Sequence, residues 1–242
     1  MASSTLRLEN VSVRYGDFTA LQDVSIDAKA GEITTVIGAN GAGKSTLMKA
    51  ISGLQRISAG SIQLDSKELR RLPRHVITRM GVVQVPEARG IFPDMTVEEN
   101  LFLAALYKRR SWITRGAKDS LEPAFEQFPI LYDKRSDHAA TLSGGQQQML
   151  SLARSFLLEP KVLLADELSF GLAPVVTETV FKHVADLNAK HGTTVLMVEQ
   201  NVGRALEMAS YVYVLRTGRV VYEGDPGALL DDRDNLFEHM IG

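Results

Sequence analysis

A glycine-rich segment between residues 38 and 45 carries the residue types that bind phosphate groups. It reads Gly38-Ala39-Asn40-Gly41-Ala42-Gly43-Lys44-Ser45 and fits the pattern G-x-x-x-x-G-K-[ST]. Glycines allow successive backbone N–H groups to surround phosphate oxygens, and the start of a helix adds partial positive charge. Lys44 can then neutralise the β- and γ-phosphates, and the Ser45 hydroxyl can bind Mg²⁺. The segment predicts a nucleotide site; the alternative is a glycine turn followed by a lysine by chance.

Two adjacent acids, Asp166 and Glu167, follow an apolar strand predicted at Val162–Ala165. A carboxylate at the end of a buried strand can hold Mg²⁺, directly or through water, beside a phosphate loop. The second acid, Glu167, can polarise an attacking water molecule. Paired acids at a strand end are also common as solvated turn residues. The presence of the phosphate loop favours the metal-binding and catalytic interpretation.

A second candidate for phosphate contact begins the helix predicted after Leu142. Ser143, Gly144, Gly145 and Gln146 combine a hydroxyl, two glycines and a helix N-terminus, all of which can contact anions. Taken alone, the segment is better explained as a serine N-cap followed by glycines.

The elements that must position these residues alternate between strand and helix. The β-branched run Ile33–Ile37 is typical of a strand covered on both faces, and it leads into the glycine loop and a helix from Lys44. Residues 87–160 show helical periods broken by prolines, so a helical segment is predicted inside an α/β core. The other predicted elements are strands at Leu6–Val13, Ala20–Ala28 and Thr193–Val198, helices at Thr96–Tyr107, Val175–His191 and Val202–Ala209, a loop at Ser111–Ala117, and a hairpin of Tyr211–Leu215 with Val220–Tyr222.

Composition excludes several classes of protein. Of the 242 residues, 45% are hydrophobic and 23% are charged, as in globular proteins that bury a core. The absence of cysteine excludes disulfides and thiolate metal sites. A net charge of −2 gives no general attraction to nucleic acid or acidic lipid. No apolar stretch approaches the about 18–20 residues that span a bilayer, and the first residues do not resemble a signal peptide. At a membrane, another chain would have to hold this one there.

Together, these motifs resemble the ATP-binding subunits of ABC transporters over essentially the whole chain. In that family the phosphate loop is called Walker A, Leu142–Gln146 corresponds to the signature motif, and Val162–Glu167 corresponds to Walker B. The resemblance implies an α/β P-loop NTPase with a RecA-like core, an antiparallel β subdomain and an inserted α-helical subdomain. It assigns residues 1–86 and 161–242 to the core with its β subdomain, and residues 87–160 to the helical subdomain.

The resemblance also implies roles for individual residues. Two ATPase subunits of this family meet head to tail, so that signature residues of one chain contact the ATP held by the other. Tyr15 lies where the family places an aromatic that stacks on adenine, although an aromatic before a glycine turn is otherwise more often a packing residue. The residues expected to contact ATP are Tyr15, Gly38, Asn40, Gly41, Gly43, Lys44, Ser45, Thr46, Ser143, Gly144, Gly145 and Gln146. Hydrolysis is assigned to Lys44, Glu87, Glu167 and Gln200, and Mg²⁺ to Ser45, Glu87 and Asp166.

Longer segments resemble the ATPases of branched-chain amino acid uptake, and among them the second of the two, the LivF type. These segments are Val85–Pro93, Met95–Leu101, Ser169–Pro174 and Val198–Val202. The implied partners are integral-membrane permeases, a companion ATPase and, indirectly, a solute-binding protein, with no nucleic acid. The implied location is peripheral, on the cytoplasmic face of the cell membrane. Close relatives of this branch serve urea or short amides, so those solutes stay open as alternatives.

Three positions depart from the general pattern of the family. Glu87, and not Gln84, occupies the position of the Q-loop glutamine, Ala173 that of the D-loop aspartate, and Gln200 that of the switch histidine. Glutamine can hydrogen-bond to a γ-phosphate but cannot carry a proton as an imidazole does. Because the Walker residues are intact, we expect an active transport ATPase. The alternatives are a non-transport ABC ATPase and a nucleotide-binding switch with little turnover. The substitutions favour a heteromeric ATPase pair over a homodimer.

Overall fold

The computed structural model describes residues 3–109 and 121–231, and the loop predicted at Ser111–Ala117 lies outside them. The described strands are β1 (Leu6–Tyr15), β2 (Phe18–Ala28), β3 (Ile33–Ile37), β4 (Ala59–Leu64), β5 (Lys67–Glu68), β6 (Val82–Val85), β7 (Val162–Asp166), β8 (Thr194–Glu199), β9 (Tyr211–Arg216) and β10 (Arg219–Gly224). The described helices are α1 (Lys44–Ile51), α2 (Arg74–Arg79), α3 (Val97–Arg109), α4 (Glu122–Gln127), α5 (Pro129–Asp133), α6 (Gly144–Leu157), α7 (Pro174–His191), α8 (Val202–Met208) and α9 (Pro226–Asp231).

A six-stranded sheet positions the predicted site, with the strand order β10-β9-β3-β8-β7-β6. The strands from β9 to β6 run parallel, and β10 pairs antiparallel with β9 as the predicted hairpin. Every residue of β3, β7 and β8 is buried, as expected for central strands covered on both faces. Parallel pairing aligns Ile37 with Glu199 and Asp166 with Val198. The segments that follow these three strands therefore meet at one edge of the sheet.

A second sheet is antiparallel and four-stranded, with the order β2-β1-β4-β5. Its inward-facing residues, such as Leu6 and Leu21, share one buried apolar cluster with Leu47 of α1 and Val36 of β3. This packing fixes the second sheet against the helix that follows the phosphate loop.

The turn between β1 and β2 places two aromatic side chains at the tip of the second sheet. Tyr15 pairs with Phe18 across the turn, and their exposed fractions are 42% and 67%. Aromatic side chains that are left this exposed are available to a ligand.

Helices α3 to α6 form the helical segment that interrupts the α/β pattern. They pack around Phe128, which is fully buried and makes an edge contact with Phe156 of α6. No described helix is long and apolar enough to cross a bilayer. The predicted combination of an α/β core, an antiparallel sheet and a helical segment is confirmed.

The predicted strands and helices are present, with ends that shift by at most two residues, but four elements between residues 54 and 86 were not predicted. These are β4, β5, α2 and β6. Strand β4 is only partly buried and contains Gly60, so its pattern is weak, and it forms because β1 pairs with it. Strand β6 has four residues and forms because β7 pairs with it. Long-range pairing, which periodicity does not show, decides such short strands.

Candidate functional site

The phosphate loop is held closely between β3 and its neighbours. A Cβ on Gly38 would lie 2.2 Å from the carbonyl oxygen of Leu215, so only glycine fits there. Gly43 has a φ of 110°, and a Cβ there would lie 2.9 Å from the carbonyl oxygen of Ala20. These two glycines are required by close backbone approach and by a left-handed conformation. The packing fixes the loop, with its backbone N–H groups at the start of α1.

Lys44 is buried at the base of this loop, with 4% of its side chain exposed. Its Nζ donates hydrogen bonds to the carbonyl oxygens of Gly38 at 2.8 Å and Ala39 at 3.2 Å. The same Nζ lies 3.6 Å from Oε1 of Glu167. The ammonium is therefore satisfied by groups that an incoming phosphate can replace.

Glu167 follows β7 with a left-handed backbone, at a φ of 49°. Its N–H donates to the carbonyl oxygen of Val198 at 2.9 Å. Its Oε2 accepts a 2.6 Å hydrogen bond from Nε2 of Gln200, while Oε1 faces Lys44. Both carboxylate oxygens are thus oriented by side chains that the sequence had singled out.

Asp166 is the last residue of β7 and has only 6% exposure. Its Oδ2 accepts a 3.1 Å hydrogen bond from Nε2 of Gln84, but its Oδ1 is buried without a hydrogen-bond partner among the described residues. Burial raises the pKa of Asp166 from 3.8 to about 6, and the charges of Glu167 and Glu87 act in the same direction, whereas the Gln84 bond lowers the pKa. A cation would satisfy both the orphaned oxygen and the buried charge.

The residues present fit a magnesium ion. The buried carboxylate of Asp166 and the hydroxyl of Ser45 are hard oxygen donors, which Mg²⁺ prefers. No group of three or more His, Asp or Glu side chains in the described residues is arranged to hold a metal. An ion here would therefore depend on oxygens of water and phosphate in addition, as Mg²⁺ commonly does.

Most of the predicted site residues line one cleft of about 540 Å³. Its lining includes Tyr15, Asn40, Gly41, Gly43, Lys44, Ser45, Thr46, Glu87, Glu167 and Gln200. Gly38 and Asp166 are not part of this lining, but the Gly38 carbonyl accepts a hydrogen bond from Lys44, and Asp166 immediately precedes Glu167 in the chain. The structure therefore brings the phosphate loop, Glu167 and Tyr15 together around one cleft.

The signature residues lie away from this cleft in the same chain. The Ser143 Oγ accepts from the N–H of Gln146 at 3.4 Å, and the Gln146 Oε1 accepts from the N–H of Ser143 at 2.9 Å. This capping box begins α6. Ser143, Gly145 and Gln146 line a separate cavity of about 370 Å³. Within one chain, none of the four predicted signature residues, Gly144 included, lines the cleft that contains the phosphate loop.

Sequence reasoning missed several residues around the cleft. Phe18 and Phe170 also line it, with exposed fractions of 67% and 59%. Gln84, which the sequence comparison did not place at the Q-loop position, donates a hydrogen bond to Asp166. Its one visible signal was a polar residue within the apolar run Val82–Val85.

The family model for ABC transporters matches residues 21–169 of this sequence. The chain belongs to the ABC transporter family. As a member of that family it is a nucleotide-binding ATPase whose hydrolysis of ATP is coupled to transport, and such subunits work with permease subunits. The resemblance that the motifs carried is therefore confirmed.

Curated relatives of this ABC ATPase are transport ATP-binding proteins of similar length. It is 41% identical to the high-affinity branched-chain amino acid transport ATP-binding protein BraG of Pseudomonas aeruginosa, over 93% of this chain and 94% of the relative. It is 38% identical to the probable branched-chain amino acid transport ATP-binding protein LivF of Archaeoglobus fulgidus, over the same shares. With BraF of Pseudomonas aeruginosa, a protein of the same description, identity is 30% over 99% of both chains.

Solved structures of ABC cassettes share this fold. A nucleotide-free ATP-binding cassette from an ABC transporter superimposes with a TM-score of 0.84 and 28% identity, over 99% of both chains. The ADP conformation of an ATP-binding cassette gives a TM-score of 0.83 and 29% identity, again over 99% of both chains. A dimeric bacterial ABC transporter cassette gives 0.82 and 25%, over 91% of this chain and 98% of that one.

We expect Asp166→Asn to stabilise the nucleotide-free chain at neutral pH. The pKa of Asp166 is about 6 in the folded chain, above its ordinary 3.8, so ionisation costs stability as pH rises through this window. Each pKa unit corresponds to about 1.4 kcal/mol of unfolding free energy. Because the folded chain can partly relax around the charged carboxylate, we expect the variant to gain less than the full shift implies, about 1–2 kcal/mol at pH 7.5. The gain should shrink at pH 5.5.

Urea unfolding at the two pH values measures this difference. The matched control is Asp133→Asn, which removes the charge of an exposed aspartate in α5. A variant at Asp166 that is no more stable than wild type at pH 7.5, or whose gain grows as pH falls, contradicts the burial argument.

Proposed function

We propose that this chain is the ATP-hydrolysing subunit of a branched-chain amino acid importer, bound peripherally to the cytoplasmic face of the cell membrane. The observation that carries the solute class is the 41% identity with BraG over nearly the whole of both chains. Identity with LivF of Archaeoglobus fulgidus is 38%, against 32% with LivG of the same organism, which supports the LivF type over the LivG type.

In this proposal, the nucleotide extends from the aromatic tip of the second sheet to the phosphate loop. Tyr15 and Phe18 line the cleft at one end, where a ring can stack on adenine. Asn40, Gly41 and Gly43 present the loop to the phosphates, with Ser45 and Thr46 at the start of α1. The Lys44 ammonium exchanges its two carbonyl acceptors for phosphate oxygens.

Hydrolysis is assigned to Glu167 as general base. When phosphate takes the Lys44 ammonium, the Glu167 Oε1 loses its ion-pair partner and can accept a proton from water. Gln200 keeps the other oxygen, Oε2, in place through its 2.6 Å hydrogen bond. Because glutamine cannot carry a proton, its role here is to orient the base and to hydrogen-bond to the γ-phosphate.

Mg²⁺ is the second cofactor in this proposal. Ser45, Asp166 and Glu87 would hold it, and the ion would neutralise charge that develops on the phosphoryl group. Glu87 also lies between two cavities of the chain. It lines the cleft, while the preceding residue, Pro86, lines a larger groove. A change at the γ-phosphate can therefore shift the wall of that groove.

We expect Glu167→Gln to bind ATP but to hydrolyse it at least about 100-fold more slowly, because an amide cannot accept the proton. Lys44→Ala serves as the contrasting variant and should lose ATP affinity, since the phosphate charge is no longer neutralised. Fluorescent-nucleotide binding and phosphate release measure the two effects separately. Near-normal turnover by Glu167→Gln would move the base role elsewhere, with Glu87 the next candidate.

The larger groove is the proposed docking site for the permease. Its volume is about 680 Å³, and it lies between α2, β6, α3 and α6. Its lining includes the basic side chains of Arg74, His75, Arg89 and Arg154 and the aromatic rings of Phe92 and Tyr107. A short cytoplasmic helix of a permease with apolar and acidic residues would complement this lining.

We expect Arg74→Glu to weaken assembly with the permeases by about 10-fold, because it reverses one charge in the groove. ATP binding by the isolated chain should stay unchanged, since the cleft is untouched. Lys67→Glu, on β5 outside the groove lining, is the matched control for charge reversal. Co-purification from detergent, titrated with the ATPase subunit, measures the effect; equal loss in both variants would argue against this groove.

The functional ATPase is proposed to be a dimer that encloses two nucleotides. In one chain the residues Ser143–Gln146 are remote from the phosphate loop, and a related cassette forms a dimer. Gln200 and Ala173 replace the usual histidine and aspartate, so a companion chain that retains them would create two unequal sites. A heterodimer is therefore proposed, with a solute-binding protein delivering the amino acid to the permeases.

We expect co-expression with a companion ATPase and permeases to raise turnover well above that of the isolated chain. In that complex, Gln200→His should alter the rate of only one of the two sites. Single-turnover kinetics on the complex and size-exclusion chromatography of the isolated chain with ATP test the model. A tight ATP-dependent homodimer at micromolar concentration, with no companion that raises its rate, contradicts it.

A further inference from the structure

Glu199, the last residue of β8, is a fully buried acid to which the proposed mechanism gives no part. Its exposure is 0%, and it is not among the residues that line the nucleotide cleft. Its carboxylate accepts two hydrogen bonds from Ser169, from the N–H at 3.1 Å and from the Oγ at 2.6 Å, and the Gln200 N–H also hydrogen-bonds to it. Burial nevertheless raises its pKa. A buried carboxylate is costly, so these bonds matter to the local structure.

Ser169 lies in the segment that leaves the catalytic acid. It follows Glu167 by two residues and precedes Phe170, which lines the cleft. The segment is attached to β8 at successive points: the Glu167 N–H bonds to the Val198 carbonyl, and the Ser169 N–H and hydroxyl bond to Glu199. Consecutive residues of β8 thus hold alternate residues of this segment.

The backbone of Glu167 needs such support. Its φ of 49° lies in the left-handed region, which costs a residue with a side chain about 1 kcal/mol or more and persists only where the surroundings enforce it. Released from Glu199, the segment can relax, and the Glu167 carboxylate then leaves the position between Lys44 and Gln200.

We propose that Glu199 is a positioning residue that fixes the catalytic carboxylate of Glu167 by clamping the backbone of Ser169. The inference rests on the proposed role of Glu167 as general base. It assigns Glu199 an effect on the rate of hydrolysis and none on the affinity for ATP, because the close approaches that fix the phosphate loop are to Leu215 of β9 and Ala20 of β2 and do not involve Glu199.

Four variants in the assembled transporter test the clamp. Glu199→Met removes both acceptors, and we expect kcat to fall on the order of 10-fold with the KM for ATP and fluorescent-nucleotide affinity unchanged. Ser169→Ala removes one bond and should give a smaller decrease. Glu199→Gln should retain most of the rate, because its amide can accept from the Ser169 N–H and donate to the Ser169 Oγ. Combining Glu199→Gln with Ser169→Ala should be worse than the two single effects multiplied, since the amide N–H₂ then lacks its acceptor.

Thr193→Val is the matched control for lost buried hydrogen bonding. Its hydroxyl donates to the Pro160 carbonyl at 3.1 Å, immediately before the opposite end of β8, so it should lower stability without changing kcat. A kcat decrease for Glu199→Met of less than about threefold relative to this control overturns the clamp. If that variant does not fold, additive effects of Glu199→Gln and Ser169→Ala overturn it instead. Glu167→Gln is assayed alongside: normal turnover there would refute the proposed base and not the clamp alone.

Discussion

The buried ion pair between Lys44 and Glu167 is the interaction on which the arrangement of the cleft depends. Neither side chain is more than 8% exposed, and Nζ lies 3.6 Å from Oε1. A buried pair is stable only when each partner has further hydrogen bonds. Lys44 obtains them from the Gly38 and Ala39 carbonyls, and Glu167 obtains one from Gln200. The start of the phosphate loop and the ends of β7 and β8 must therefore lie side by side. The parallel pairing of β3, β8 and β7 places them at the same edge of the sheet.

Negative charge accumulates around this pair. Burial raises the pKa of both Asp166 and Glu199, and negative charge raises them further: Glu167 acts on both, and Glu87 acts on Asp166. Such a cluster is unfavourable in the free chain, and a cation bound with the nucleotide would relieve it. A triphosphate alone would add to the repulsion, so the charge distribution supports the proposal that the nucleotide binds together with Mg²⁺.

The walls of the cleft also communicate with the rest of the molecule. Pro86 lines the proposed docking groove, and Glu87 lines the cleft that contains the phosphate loop. Two residues on, Arg89 lines the groove and donates a 2.5 Å hydrogen bond to Gln147 in the first turn of α6. Through this contact the loop that contains Glu87 is joined to the helix that begins with the signature residues. In the proposed docking, a movement of the permease helix would thus change the position of both.

The sequence by itself determined the phosphate loop, the Walker acids and the alternation of strands and helices, because each depends on local residue types and spacing. It determined the family as well, because the motifs occur in a fixed order along one chain. Only the tertiary structure decided that Gln84 bonds to Asp166 and that Glu199 bonds to Ser169. It also decided the short strands β4 and β6. These features depend on contacts between segments far apart in the chain, and such contacts leave no periodic pattern in either segment.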